Sequence, residues 1–145
     1  MIAFTIWGEP VAQGRPRAAV IGGHARMYDP AKSRNYKSLV QAEALRVRPA
    51  TPLTGPVTLV IEIYKQVPKS FSKAKRSQAE LGLLRPTTKP DISNILKGIE
   101  DALTGIIWRD DSQIVRLVAS KAYSYHPRVE VQIHEIAKVE EVEAG

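Results

Sequence analysis

The run 57–64, Val-Thr-Leu-Val-Ile-Glu-Ile-Tyr, constrains the fold more than any other part of the chain. Its β-branched and aromatic residues favour an extended backbone, and it is apolar enough to predict a strand in the middle of a sheet. Such a strand needs neighbours. Residues 2–7 alternate and predict a first strand. Residues 114–125 and 128–136 predict two antiparallel strands joined at His126-Pro127, with Val115, Leu117, Val118, Val129, Val131 and Ile133 as core candidates. Ile106-Ile107-Trp108 reads as the start of a strand, with Trp108 packing at the sheet edge. Residues 18–21 and 25–28 flank Gly22-Gly23 as a short hairpin. Asp29-Pro30 is a helix start, a cap followed by proline. Tyr36, Leu39, Val40, Ala44 and Val47 continue it at helical spacing to about residue 48. After a connector holding three prolines (Pro49, Pro52, Pro56), Ser70 or Ser72 can cap a short helix reaching about Leu81. The order of elements predicts an α+β fold: one domain over residues 1–137, a mixed sheet with helices packed on it. An acidic, frayed tail over 138–145 is expected to follow.

A chain of 145 residues suits one domain with a proper core. The absence of cysteine excludes disulfides and thiolate metal sites. His24, His126 and His134 are too scattered to suggest zinc. No run approaches the roughly 18 apolar residues of a membrane span, and the N-terminus does not resemble a signal peptide, so a cytoplasmic protein with no membrane partner is expected. The net charge is +6 and is unevenly spread. Residues 65–89 hold seven bases against Glu80, and Arg15, Arg17 and Arg26 lie in the earlier loop and hairpin region. Lys32, Arg34 and Lys37 sit in the early part of the first predicted helix. These segments suit contact with backbone phosphates. Each charge taken singly reads almost equally well as a solvated surface group. The middle segment, with Lys73, Lys75 and Arg76, reads as a mobile basic arm.

Between residues 90 and 111 the charge reverses. Asp91, Glu100, Asp101, Asp110 and Asp111 stand against Lys97 and Arg109, a net of −3. Pro90 disfavours helix before it, and Asp91 or Ser93 can cap the helix that follows. Ile92, Ile95, Leu96, Ile99, Ala102 and Leu103 form its buried face. Asn94, Lys97 and Asp101, at i, i+3 and i+7, share another face. Gly105 suits the position after the helix end. An acidic island in a basic chain is an arrangement that holds a hard cation beside a polyanion. The plainer readings are a helix cap for Asp91 and a turn for Asp110-Asp111.

The pattern running Lys89-Pro90-Asp91, Asn94, Lys97, Asp101-Ala102-Leu103, Gly105 and then Trp108, Asp110-Asp111-Ser112-Gln113 resembles the RusA family of Holliday-junction resolvases. Residues Phe4-Thr5-Ile6 to Gly14-Arg15-Pro16-Arg17 resemble the start of some members. The resemblance implies a small dimeric endonuclease of phage or prophage kind that uses magnesium, or manganese in its place, and no small-molecule cofactor. It would act on four-way DNA junctions. By matching positions it implies catalytic roles for Asp91, Lys97 and Asp111, and metal ligation by Asp91, Asp101, Asp110 and Asp111. Ser93 and Asn94 would complete the site. Arg15, Arg17, Arg26, Lys73, Lys75, Arg76 and Lys89 would contact DNA. Ser93 departs from the family, which has an aspartate there. A junction-binding protein with weak or lost cleavage is therefore the alternative.

Overall fold

A computed structural model describes residues 1–14, 17–21, 24–28 and 31–137, with 17–21 and 24–28 described by backbone alone. The Gly22-Gly23 turn, the Asp29-Pro30 helix start, Arg15 and the tail lie outside the described residues. The apolar run forms β4 (Val57–Gln66), an interior strand as its composition predicts. The sheet order is β1 (Ile2–Trp7), β6 (Arg128–Glu135), β4, β5 (Ile114–Ser124). β4 runs antiparallel to β6 and parallel to β5, so the sheet is mixed.

Burial alternates along β4 as the pleat requires. Val57, Leu59, Ile61 and Ile63 are buried, while Thr58, Val60, Glu62 and Tyr64 are half-buried. The buried face packs with β6 residues Val129, Val131 and Ile133 against α1 (Ala31–Val47) and α3 (Ile92–Leu103). The helix α1 contributes Val40 and Ala44 fully and Tyr36 in part, while Leu39 and Val47 stay exposed. From α3 come Ile95, Leu96, Ile99, Ala102 and Leu103. The result is two layers, helix on sheet. The strands β2 (Arg17–Ile21) and β3 (His24–Tyr28) pair antiparallel as the predicted short hairpin, and they form a two-stranded sheet of their own.

Three expectations are corrected. The strands β5 and β6 do not form a hairpin. They flank β4 on opposite sides, β5 parallel to it and β6 antiparallel. This puts β5 at the sheet edge, where Val115, Leu117 and Val118 are exposed by 61%, 45% and 43% rather than part of the core. Their apolar pattern identified a strand correctly. It carried no information on whether a neighbour would cover that strand. Secondly, residues 106–108 make a tight turn instead of a strand. Gly105 follows the helix with φ 90°, and its N–H donates to the Trp108 carbonyl at 2.7 Å. Ile107 and Trp108 are buried there, and the Trp108 indole donates to Thr104 Oγ1 at 3.0 Å. Trp108 is thus a packing residue, as expected. Thirdly, the basic middle segment is docked. Its helix α2 (Lys73–Glu80) is capped by Ser72, buries Ala79, and is preceded by Phe71, which packs edge-on against Tyr123 of β5 at 5.5 Å.

Candidate active site

The chain enters α3 through residues 88–90, which cross the ends of the parallel pair β4–β5. Two lysines from those strands meet them. Lys121 Nζ donates to the carbonyls of Thr88 (2.8 Å) and Pro90 (3.1 Å). Lys65 Nζ donates to Thr88 Oγ1 at 3.0 Å and to the Lys89 carbonyl. Asp91 follows at the N-cap position with an extended backbone, and its carbonyl accepts the Ile95 N–H at 3.1 Å. Its side chain makes no capping bond. The plain reading of Asp91 as a cap therefore fails, and its carboxylate stands exposed. It lines a cavity of about 400 Å³ together with Ala12, Lys89, Pro90 and Asn94. Ser93 and Lys97 are exposed on the adjoining helix surface.

Farther along α3 the N-terminal segment lies against the helix. The Gln13 N–H donates to the Asn94 carbonyl at 3.1 Å, and Gln13 Nε2 donates to Asp101 Oδ2 at 2.6 Å. Between these two points sits Gly98, where an added Cβ would lie 3.4 Å from the Gln13 Cβ. The glycine admits the close approach. The next residue continues the anchoring, as the Gly14 N–H donates to Ser33 Oγ of α1 at 2.9 Å. Beside this contact the Tyr36 hydroxyl and Gln13 Oε1 are buried without partners among the described residues, and burial pushes the Tyr36 phenol up.

Ten residues separate Asp91 from Asp101, which along a helix is about 15 Å. One cation cannot bind both, since magnesium holds its oxygens at about 2.1 Å. Asp111 lies toward the far end of α3: burial raises the Glu100 carboxyl, and the charges of Asp111 and Asp101 raise it further. Asp110 has a structural role. Its Oδ1 accepts the Ser112 N–H at 2.8 Å while Gln113 Oε1 accepts the Asp110 N–H at 2.8 Å, a reciprocal cap in which the hydrogen bonds from Ser112 hold the Asp110 carboxyl below its ordinary value. Among the described residues, no three His, Asp or Glu side chains converge closely enough to hold an ion. The expected set of Asp91, Asp101, Asp110 and Asp111 is thus not assembled within one chain. What fits a magnesium ion is the Asp91 end, because that ion commonly takes only one or two carboxylates plus water and substrate phosphates.

Lys89 lines the cavity, whereas Lys73, Lys75 and Arg76 are exposed on α2, with Lys75 Nζ 5.6 Å from the Phe71 ring centre. Arg85 donates to the Lys121 carbonyl at 3.3 Å, so the basic segment returns across β5 beside the entry to α3. The side chains of Arg17 and Arg26 lie outside the described residues. Sequence reasoning missed Gln13, Lys65 and Lys121. Gly98, placed mid-helix between Asn94 and Asp101, signalled a close approach at Gln13. Lys65 signalled a change too, as the first charged residue on the buried face of β4.

The family model described as Endodeoxyribonuclease RusA matches residues 8–134. The chain belongs to the RusA endodeoxyribonuclease family. It is 53% identical over 138 residues to the "Uncharacterized protein YqaN" of Bacillus subtilis (strain 168), covering 94% of this chain and 97% of that one. It is 26% identical over 128 residues to the "Crossover junction endodeoxyribonuclease rusA" of Lactococcus phage r1t, covering 88% and 91%.

Proposed function

We propose that the protein is a divalent-metal-dependent endodeoxyribonuclease that resolves four-way DNA junctions by paired strand nicks, acting as a homodimer. Family membership and the phage relative's name support the reaction class. The observation that carries the assignment to this site is the Asp91 carboxylate, free of capping duty and lining an open cavity with Lys89 and Asn94. A resident magnesium would supply charge neutralisation and an activated water there. Asp91 would hold it with help from phosphate oxygens. Lys97, two turns along the helix, would contact the DNA backbone, and Lys89 would draw the strand into the cavity. Two nicks on opposed strands call for two sites related by symmetry. The edge of β5, which has no further strand partner among the described residues and leaves Val115, Leu117 and Val118 exposed, is the surface that best suits a second copy.

A second reading, junction binding without cleavage, is favoured by one feature. Ser93 stands where the family has a carboxylate, beside a single aspartate. The deciding experiment incubates the protein with a synthetic four-way junction, with magnesium or with EDTA. Symmetric nicks that need metal, and that Asp91→Asn abolishes while junction binding persists, support the nuclease. Tight junction binding with no nicks supports the second reading, and Ser93→Asp should then restore cleavage. Equal affinity for junction and linear duplex overturns both.

A further inference from the structure

We infer that Lys121 and Lys65 are positioning residues of this site, holding residues 88–90 so that the Asp91 carboxylate faces the cavity and not its own helix. The inference rests on the proposed role of Asp91 and adds to it two residues from the sheet. In β4 the helix-covered face reads Val57, Leu59, Ile61 and Ile63, all buried, and the next position on that face is Lys65. In β5 the residue opposite Ile63 is Lys121, so both lysines lie on the covered face near the C-terminal ends of two parallel neighbours. Apolar residues would continue the core there. Instead two ammonium groups make four hydrogen bonds to three consecutive residues.

The chemistry suits the target. Three carbonyls emerge close together before the helix, and proline at 90 has no N–H with which to anchor the backbone. An ammonium group carries three donors and no acceptor, so it satisfies several carbonyls at once. Bonds of this kind to a charged donor are among the stronger ones in proteins. They also set two positive charges under a loop that must present a carboxylate to a polyanion, which offsets part of the repulsion. Misplacement of a reacting group by about 1 Å can reduce rate by about a hundredfold. A loop fixed at all three of its residues guards against that.

The test compares Lys121→Met, Lys65→Met and Lys121→Arg with the parent chain, using hydrogen exchange at the Ile95 amide, which donates to the Asp91 carbonyl, and junction cleavage in magnesium. Lys121→Met should accelerate exchange at the Ile95 amide by about tenfold, the effect of losing roughly 1.4 kcal/mol of local stability, and leave β4 and β6 amides unchanged. Its kcat should fall by about tenfold or more while junction Kd moves by less than about threefold, the split expected of misplacement. Lys121→Arg, whose guanidinium also donates to paired carbonyls, should restore most of both. Unchanged exchange at the Ile95 amide in both Met variants overturns the inference, whatever the nuclease does. So does a uniform rise in exchange through the sheet, which marks general destabilisation. Should Lys121→Met fail to fold, Lys65→Met carries the same two readouts. If the parent chain cuts no junction, the nuclease reading fails and the exchange data alone judge the lysines.

Discussion

Asp91 and Asp110 both follow an extended stretch and both open a helical turn, yet their carboxylates do opposite things. Asp110 accepts the Ser112 N–H and is met by Gln113, closing a cap, whereas Asp91 leaves the α3 amides without its side chain. Replacing a cap destabilises and replacing an uncommitted carboxylate does not. Asp110→Ala should therefore lower the melting temperature, with Asp110→Asn close to the parent because asparagine caps equally well. Asp91→Asn should change stability by less than about 0.5 kcal/mol in denaturant titrations. Glu100 allows a test of sign. Its carboxyl is raised by burial first and then by Asp111 and Asp101, so the folded chain holds that proton more tightly than the unfolded chain. Its stabilising contribution is complete below the unfolded value near pH 4.3 and is lost as pH rises through the folded value. In EDTA, Glu100→Gln should therefore raise the melting temperature at pH 7 and change it little at pH 4. An NMR titration of Glu100 should move downward in Asp111→Asn.

At the scale of elements, the rung joining β4 and β5 shows how position in the sheet decides energetics. Leu59 and Leu117 are register partners, one fully buried and the other 45% exposed. Leu59→Ala should cost about 2–5 kcal/mol through lost transfer energy and a cavity. Leu117→Ala should cost under about 1 kcal/mol in the isolated chain. If β5 is the dimer edge, Leu117→Lys should shift the mass seen in light scattering from dimer to monomer without unfolding the chain. The helix α3 has its own logic. Its apolar residues fix which face is buried, and that burial turns Asn94, Gly98 and Asp101 toward the Gln13 segment. Its length is as decisive as its pattern, since about 15 Å of helix divides Asp91 from Asp101.

Across the whole molecule, charge is arranged about one helix. The basic segment 65–89 docks on β5 and returns to the α3 entry through Arg85 and Lys89, and of its cations Lys89 lines the Asp91 cavity. Junction affinity should accordingly fall steeply with salt, log K declining by roughly 0.9 for each phosphate neutralised. Replacing Lys73, Lys75 and Arg76 by alanine should flatten that slope if α2 lies along DNA. An unchanged slope would place the DNA path elsewhere.

Local pattern suffices for the α+β class, the central place of residues 57–64, the extent of α3 and the family motif from Lys89 to Gln113, because periodicity, caps and turn residues act over a few neighbouring positions. It also marked Asp91 as distinctive. The folded arrangement is what leaves Asp91 uncommitted while Asp110 caps, sets β4 between β5 and β6, and turns Val115, Leu117 and Val118 to solvent. It alone brought Lys65, Lys121 and Gln13 to α3 from distant positions. The physical reason is common to all of these. A residue type and its spacing set what a side chain can bury or bond, but the partner arrives through long-range strand pairing and packing, which no local pattern encodes.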